Sequence, residues 1–207
     1  MDRNIIFDLD GTLSDPKTRL YGLFVELAPD NNISFEEYWE IKRNKIDQAC
    51  LLERYFDFSK EEIAQFRQQW LSKIEEKERL KQDTPLPGAG TVLKTLSKDN
   101  QLYVVTNRQN RELAIEQIED YGWDGYITMT LVTLQKTSKE NLIKESLVIS
   151  KDDIIIGDTG EDILTGKRLG MTTIAVTSGM LNRRTLLEYN PDQIINHLKE
   201  LSVVHPV

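Results

Sequence analysis

The stretch NIIFDLDGTLSD, residues 4–15, constrains the chain more than any other. Three apolar residues run directly into Asp8, Leu9, Asp10 and Gly11. A continuous apolar run of this kind marks a strand buried on both faces, as in parallel sheets. Two carboxylates at its exit are costly unless a cation or a chemical task holds them there. The pair therefore predicts an α/β sheet with polar residues gathered at one edge.

From about Thr18 to Asp83 the pattern is helical only, in segments 18–28, 34–45, 47–56 and 59–82. Ser34 with Glu37 and Ser59 with Glu62 read as capping boxes that mark two of the starts. TPLPG, 84–88, is a Pro and Gly hinge. Beyond it strand and helix alternate, with helices at 89–98, 110–121, 138–148 and 161–169 and strands at 101–105, 129–133, 153–156 and 172–176. That grammar predicts a parallel sheet with helices on both faces. A chain of 207 residues suits one core plus an insertion. We expect an α/β core domain of residues 1–15 and 84–207 and a helical cap domain of residues 16–83. The GAG at 88–90 follows no strand and lacks a third glycine, so it is not read as a dinucleotide loop.

Composition narrows the partners. With 34 acidic against 26 basic residues and a net charge of -8, neither nucleic acid nor an anionic membrane is expected to bind. No apolar run is long enough to span a bilayer. The N-terminal MDRNIIFDLD has no secretory h-region, so a cytoplasmic location is expected. The single cysteine, Cys50, excludes an internal disulfide and a multi-cysteine zinc site, and reads as a helix-core residue. Trp39, Trp70 and Trp123 read as packing residues, and His197 and His205 lie far along the chain from every motif.

Ligands of open parallel sheets bind beyond the carboxyl ends of the strands. The residues that follow the apolar runs are Asp8 and Asp10 after IIF, Thr106 and Asn107 after LYVV, and Asp158 after IIIG, with Asp162 one turn into the next helix. Oxygen donors without nearby Cys or His favour Mg²⁺ over zinc, and Mg²⁺ favours a phosphate substrate. Thr106 and a lysine, Lys136 or Lys139, would hold the phosphoryl oxygens. Asp8 can attack phosphorus to give an aspartyl-phosphate. Asp10, projecting to the same side, can protonate the leaving oxygen and later take a proton from water. Asn107 and Arg108 beside Thr106 are substrate-binding candidates. Arg19, Arg43, Lys45 and Arg54 are weaker ones, because helix cations are mostly solvated or paired with neighbours such as Glu40 or Glu53.

These motifs resemble the haloacid dehalogenase (HAD) superfamily along the whole chain. DLDGT at 8–12 resembles its first motif, Val105-Thr106-Asn107 its second, and GDTGED at 157–162 its fourth. LPGAGTVLKTL at 86–96 resembles the return from a helical cap, and YNPDQIINHLKEL at 189–201 the end of the phosphoglycolate phosphatase-like branch. The resemblance implies a Rossmann-like core with a C1-type cap, Asp8 as nucleophile and Asp10 as acid and base. It further implies Asp8, Asp158 and the Asp10 carbonyl as metal ligands, with Asp162 supporting the metal's waters. For the third motif, Lys139 directly precedes ENLI as the lysine of many relatives does, whereas Lys136 has the better spacing, 22 residues before Asp158 (158 - 136) against 19 (158 - 139). Lys139 is preferred, since loss of one helical turn keeps the buried face, and Lys136 would lie on the loop side of a Thr137–Glu140 capping box. The implied activity is an Mg²⁺-dependent phosphatase acting on a small phosphate ester: phosphoglycolate-like, a sugar phosphate or a nucleotide. Asp10 argues against a dehalogenase. A sugar phosphomutase and a catalytically weak phosphate-binding protein are the alternatives, and a monomer and a homodimer are both open.

Overall fold

The structure is a computed structural model that describes residues 3–28 and 32–201; His205 lies outside them. Six parallel strands form one sheet: β1 (Arg3–Phe7), β4 (Asn100–Thr106), β5 (Met129–Val132), β6 (Ile154–Gly157), β7 (Thr172–Val176) and β8 (Gln193–Ile195). Their order is β5-β4-β1-β6-β7-β8, so the chain reverses direction around β1. Such a reversal is where α/β sheets open a crevice at their carboxyl edge. Phe7 sits opposite Val104 on one side and Ile156 on the other, which brings the residues just after β1, β4 and β6 to that crevice.

The two faces of the sheet carry separate apolar layers. Ile5, Phe7, Val104, Ile156 and Val176 pack with Leu93, Ile118 and Trp123 on one face. Ile6, Val105, Leu131 and Ile155 pack with Ile143 and Met171 on the other. Strands β1 and β6 are thus buried on both sides, as their unbroken apolar runs require.

Between β1 and β4 the chain inserts helices α1 (Lys17–Leu27), α2 (Phe35–Arg43), α3 (Gln48–Phe56), α4 (Lys60–Lys73) and α5 (Lys77–Leu80). Both expected capping boxes are present, at Ser34 and Ser59. The insertion has its own core around Phe24, Tyr38, Trp39, Leu51, Leu52 and Phe66, with the Phe24 and Tyr38 rings 4.8 Å apart. Its entry and exit pair as a short antiparallel ribbon, β2 (Ser14–Asp15) against β3 (Thr84–Pro85). The proline-rich exit is therefore tied to the entry instead of hanging as a free hinge.

The helix expected over 59–82 is in fact α4 and α5. Glu75 turns away to accept the main-chain N–H groups of Gln109 and Asn110, and the Ile74 carbonyl accepts from Arg19 Nη1, so side-chain demands end α4. The remaining helices are α6 (Ala89–Leu96), α7 (Arg111–Asp120), α8 (Lys139–Ser146), α9 (Gly160–Leu169) and α10 (Arg183–Leu187). Ser138, not Thr137, caps α8, its hydroxyl accepting the Asn141 N–H. Strand β8 and helix α10 lie in a stretch where no element was expected, each too short to show a period. His197 opens a 3₁₀ turn in the same stretch, and Cys50 is a half-buried free thiol on α3.

Candidate active site

Asp8 leaves β1 with its N–H bonded to Ile156 O at 2.9 Å, locking it beside β6. Lys139, the first residue of α8, reaches across and donates to Asp8 Oδ1 and to Asp162 Oδ1, both at 2.6 Å. Lys136 is exposed. The structure thus brings Lys139 to Asp8 and leaves Lys136 outside. Asp162 spends its other oxygen on the start of α9, accepting from the Thr159 N–H and hydroxyl. Asp158, just past β6, accepts from the Thr12 hydroxyl at 3.2 Å and from the Met180 N–H at 2.6 Å.

Asp8, Asp158 and Asp162 offer oxygens within 4.8 Å of one another, and the three are 7%, 0% and 1% exposed. Burial pushes the Asp8 carboxyl well up, opposed by the Lys139 charge and aided by Asp162 and Asp158. Asp158 is pushed up to about 7, by burial first and then by Asp162, against the Met180 and Thr12 donors. Burial would lower the Lys139 ammonium, but the charges of Asp162 and Asp8 hold it above the usual lysine range. One ammonium faces three buried carboxyl groups, so the hole becomes net negative as Asp158 and Asp8 ionise.

The hole fits a small divalent cation. Its donors are oxygens only, and the backbone around it is cut to size. Gly11 (φ 96) and Gly179 both approach so closely that an added Cβ would overlap Asp158 Oδ2. Gly11→Ala is therefore expected to cost about 1–3 kcal/mol through the left-handed backbone alone, and to displace Asp158. A urea titration together with a divalent-cation binding isotherm would check both effects.

Asp10 is placed differently from Asp8. Its Oδ1 accepts from Arg19 Nη2 and Arg108 Nη2, and its Oδ2 from Arg108 Nε, all at 2.8 Å. Burial would raise this carboxyl, yet the Arg108 charge and hydrogen bonds, then Arg19, hold it well below the ordinary range. Both arginines also contact Asp83, which precedes β3. Arg108, expected at the substrate, is 4% exposed and committed to these carboxylates; its Nη1 has no hydrogen-bond partner. Thr106 ends β4 and is buried. Asn107 is exposed, accepting from Thr133 and donating to Glu161 at 2.7 Å.

Sequence reasoning passed over Asp83, Glu75 and the part played by Arg19. The signal for Arg19 was its place one turn before Leu23, on the buried face of α1. Nothing in the sequence marked Asp83 apart from its position at the exit of the insertion. Arg43 and Lys45 reach the sheet side of the molecule, Arg43 Nη2 donating to Thr177 O at 2.8 Å and Lys45 lying over the Tyr189 ring. Arg54 is exposed.

The profile of the haloacid dehalogenase-like hydrolase family matches residues 5–176, most of the chain. The chain is a haloacid dehalogenase-like hydrolase. Curated relatives of this HAD hydrolase include the pyrophosphatase PpaX of Halalkalibacterium halodurans, 23% identical over 95% of the chain and 94% of the relative. Its fold is shared with the haloacid dehalogenase-like family hydrolase SP0104 of Streptococcus pneumoniae (TM-score 0.80, 21% identity, 98% of both chains). It is shared also with the HAD-hydrolase YfnB of Bacillus subtilis, solved bound to magnesium (TM-score 0.69, 20% identity, 100% and 99% covered). Among the described residues of this HAD hydrolase, no helix is long and apolar enough to cross a membrane.

Proposed function

We propose that this hydrolase is an Mg²⁺-dependent phosphatase that acts on a small phosphorylated metabolite through an aspartyl-phosphate on Asp8. The observation that carries the reading is Lys139 seated between Asp8 and Asp162, with Asp158 beside them at the carboxyl edge of the sheet. Lys139 takes Asp8 Oδ1; among the described residues no donor occupies Oδ2, which is the oxygen to attack phosphorus in line. Thr106 and Lys139 hold the phosphoryl oxygens, and Asn107 lines the mouth. Arg108 and Arg19 hold Asp10 ionised in the free enzyme, so the proton it delivers to the leaving oxygen is one it takes up as the dianionic phosphoryl group arrives beside it; it then takes one from the water that hydrolyses the intermediate.

Magnesium would be held by Asp8, Asp158 and the Asp10 carbonyl, with Asp162 supporting its waters, and when bound it supplies positive charge against the transferring phosphoryl group. Residues 16–83 act as a cap that excludes water while the intermediate forms. Similarity to PpaX adds pyrophosphate to phosphoglycolate, sugar phosphates and nucleotides as substrates to test. Phosphate release from a panel of these and an aryl phosphate, with Mg²⁺ and with EDTA, tests the reading. Metal-dependent release from at least one is expected. Silence across the panel, or isomerisation of a sugar phosphate without free phosphate, would contradict it.

The raised carboxyls make a further expectation. Folded Asp158 keeps its proton up to about pH 7 while the unfolded chain gives it up near 3.8, so the metal-free fold loses stability as pH rises through that window. Asp8 acts in the same direction. The raised Lys139 contributes stability that is lost only above the ordinary lysine range. Thermal melts should therefore show a lower midpoint at about pH 8 than at about pH 5.5 without metal, with Mg²⁺ raising the midpoint more at the higher pH.

A further inference from the structure

Arg19 is 4% exposed and comes from α1, the first helix of the insertion, yet its guanidinium ends among residues of three other segments. Nε donates to Asp83 Oδ1 at 2.8 Å and Oδ2 at 3.1 Å, Nη1 to the Ile74 carbonyl at 3.1 Å, and Nη2 to Asp10 Oδ1 at 2.8 Å and Asp83 Oδ2 at 2.9 Å. Arg108 already grips Asp10 through both oxygens from the sheet side. Arg19 and Arg108 together match the charges of Asp10 and Asp83 two for two. Beyond that balance, Arg19 adds direction. A planar fork tied to α1, to the end of α4 and to the exit of the insertion fixes where Asp10 Oδ1 sits.

We propose that Arg19 is a positioning residue for Asp10: it carries the seating of the inserted helices to the carboxylate that handles the proton of the leaving group. The proposal rests on the reading of Asp10 as acid and base. Its chemistry is that of phosphoryl transfer: the bond between phosphorus and the leaving oxygen breaks, that oxygen takes a proton from Asp10, and the new bond is to Asp8. A misaligned Asp10 hurts most where the leaving oxygen most needs the proton. A phenolate leaves poorly without one, whereas a 4-nitrophenolate leaves readily.

The test compares kcat/KM for phenyl phosphate and 4-nitrophenyl phosphate, since this ratio reports the steps up to departure of the leaving group. Wild type, Arg19→Ala, Arg19→Lys and Asp10→Asn are measured with saturating Mg²⁺, and urea melts establish that each is folded. Arg19→Ala should lose about ten-fold more on phenyl than on 4-nitrophenyl phosphate, a fraction of the about 10²–10⁴-fold that acid–base catalysis supplies. Asp10→Asn should show the same bias, only larger. Arg19→Lys keeps the charge but not the fork; it should show the bias at a smaller size, and it carries the test should the alanine variant not fold. Equal losses on both substrates in the folded Arg19 variants, or none, with the bias intact in Asp10→Asn, would overturn the positioning role and leave Arg19 as a structural staple. Absence of the bias in Asp10→Asn would instead overturn the acid and base reading, and the proposal with it.

Discussion

Asp8→Asn is expected to lower phosphate release on the order of 10³-fold or more on every substrate the wild type accepts, while the protein stays folded. The carboxamide keeps the shape but cannot serve as the attacking anion. It also removes one of three buried like charges around a single ammonium, and the raised pKa of Asp8 says that this charge is held at a cost. The melting midpoint should therefore be equal to or above that of the wild type in the absence of metal. Steady-state assays paired with thermal melts read the two effects separately. Undiminished turnover would remove Asp8 from the chemistry.

Lys139→Met should be the most damaging single change to the fold near the site. Lys139 is 3% exposed, and its ammonium is the cation that reaches both Asp8 and Asp162 at 2.6 Å. Methionine fills most of the space but leaves carboxylates buried without a counter-charge, a loss of about 3–5 kcal/mol. In a chain of this size each kcal/mol moves the midpoint by about 2–4 °C, so a drop of roughly 6–20 °C is expected. Added Mg²⁺ should recover part of the drop but little of the turnover, since the donor to the phosphoryl group is gone. Differential scanning calorimetry with and without Mg²⁺ would check this, and a midpoint unchanged from wild type would contradict the charge balance described above. Lys136→Met, on the exposed loop, should do neither.

The sheet edge was legible because the residues that build it are local in sequence. NIIF, LYVV and IIIG are buried strands, and whatever follows such a strand must emerge at the same edge, so Asp8, Thr106 and Asp158 could be placed by reading outward from each run. Capping boxes at Ser34 and Ser59 are equally local. The Arg19, Asp10, Asp83 and Arg108 cluster is not: its members come from α1, the β1 exit, the end of the insertion and the β4 exit. Only the packing of the inserted helices on the sheet brings them together, and each alone looks like an ordinary surface charge. The end of α4 escaped for the same reason, since Glu75 and the Ile74 carbonyl answer to Gln109, Asn110 and Arg19 far along the chain. Lys139 and Lys136 differ by less than one turn in sequence, and tertiary packing, not spacing, puts Lys139 on Asp8.

Acid quenching of the enzyme during turnover of an aryl phosphate, followed by peptide mass analysis, tests the central claim most directly. One phosphoryl group is expected on the peptide that carries Asp8, removed by hydroxylamine and absent from Asp8→Asn. Product release in a pre-steady-state burst with no phosphorylated peptide, or with the phosphoryl group on any other residue, would contradict it.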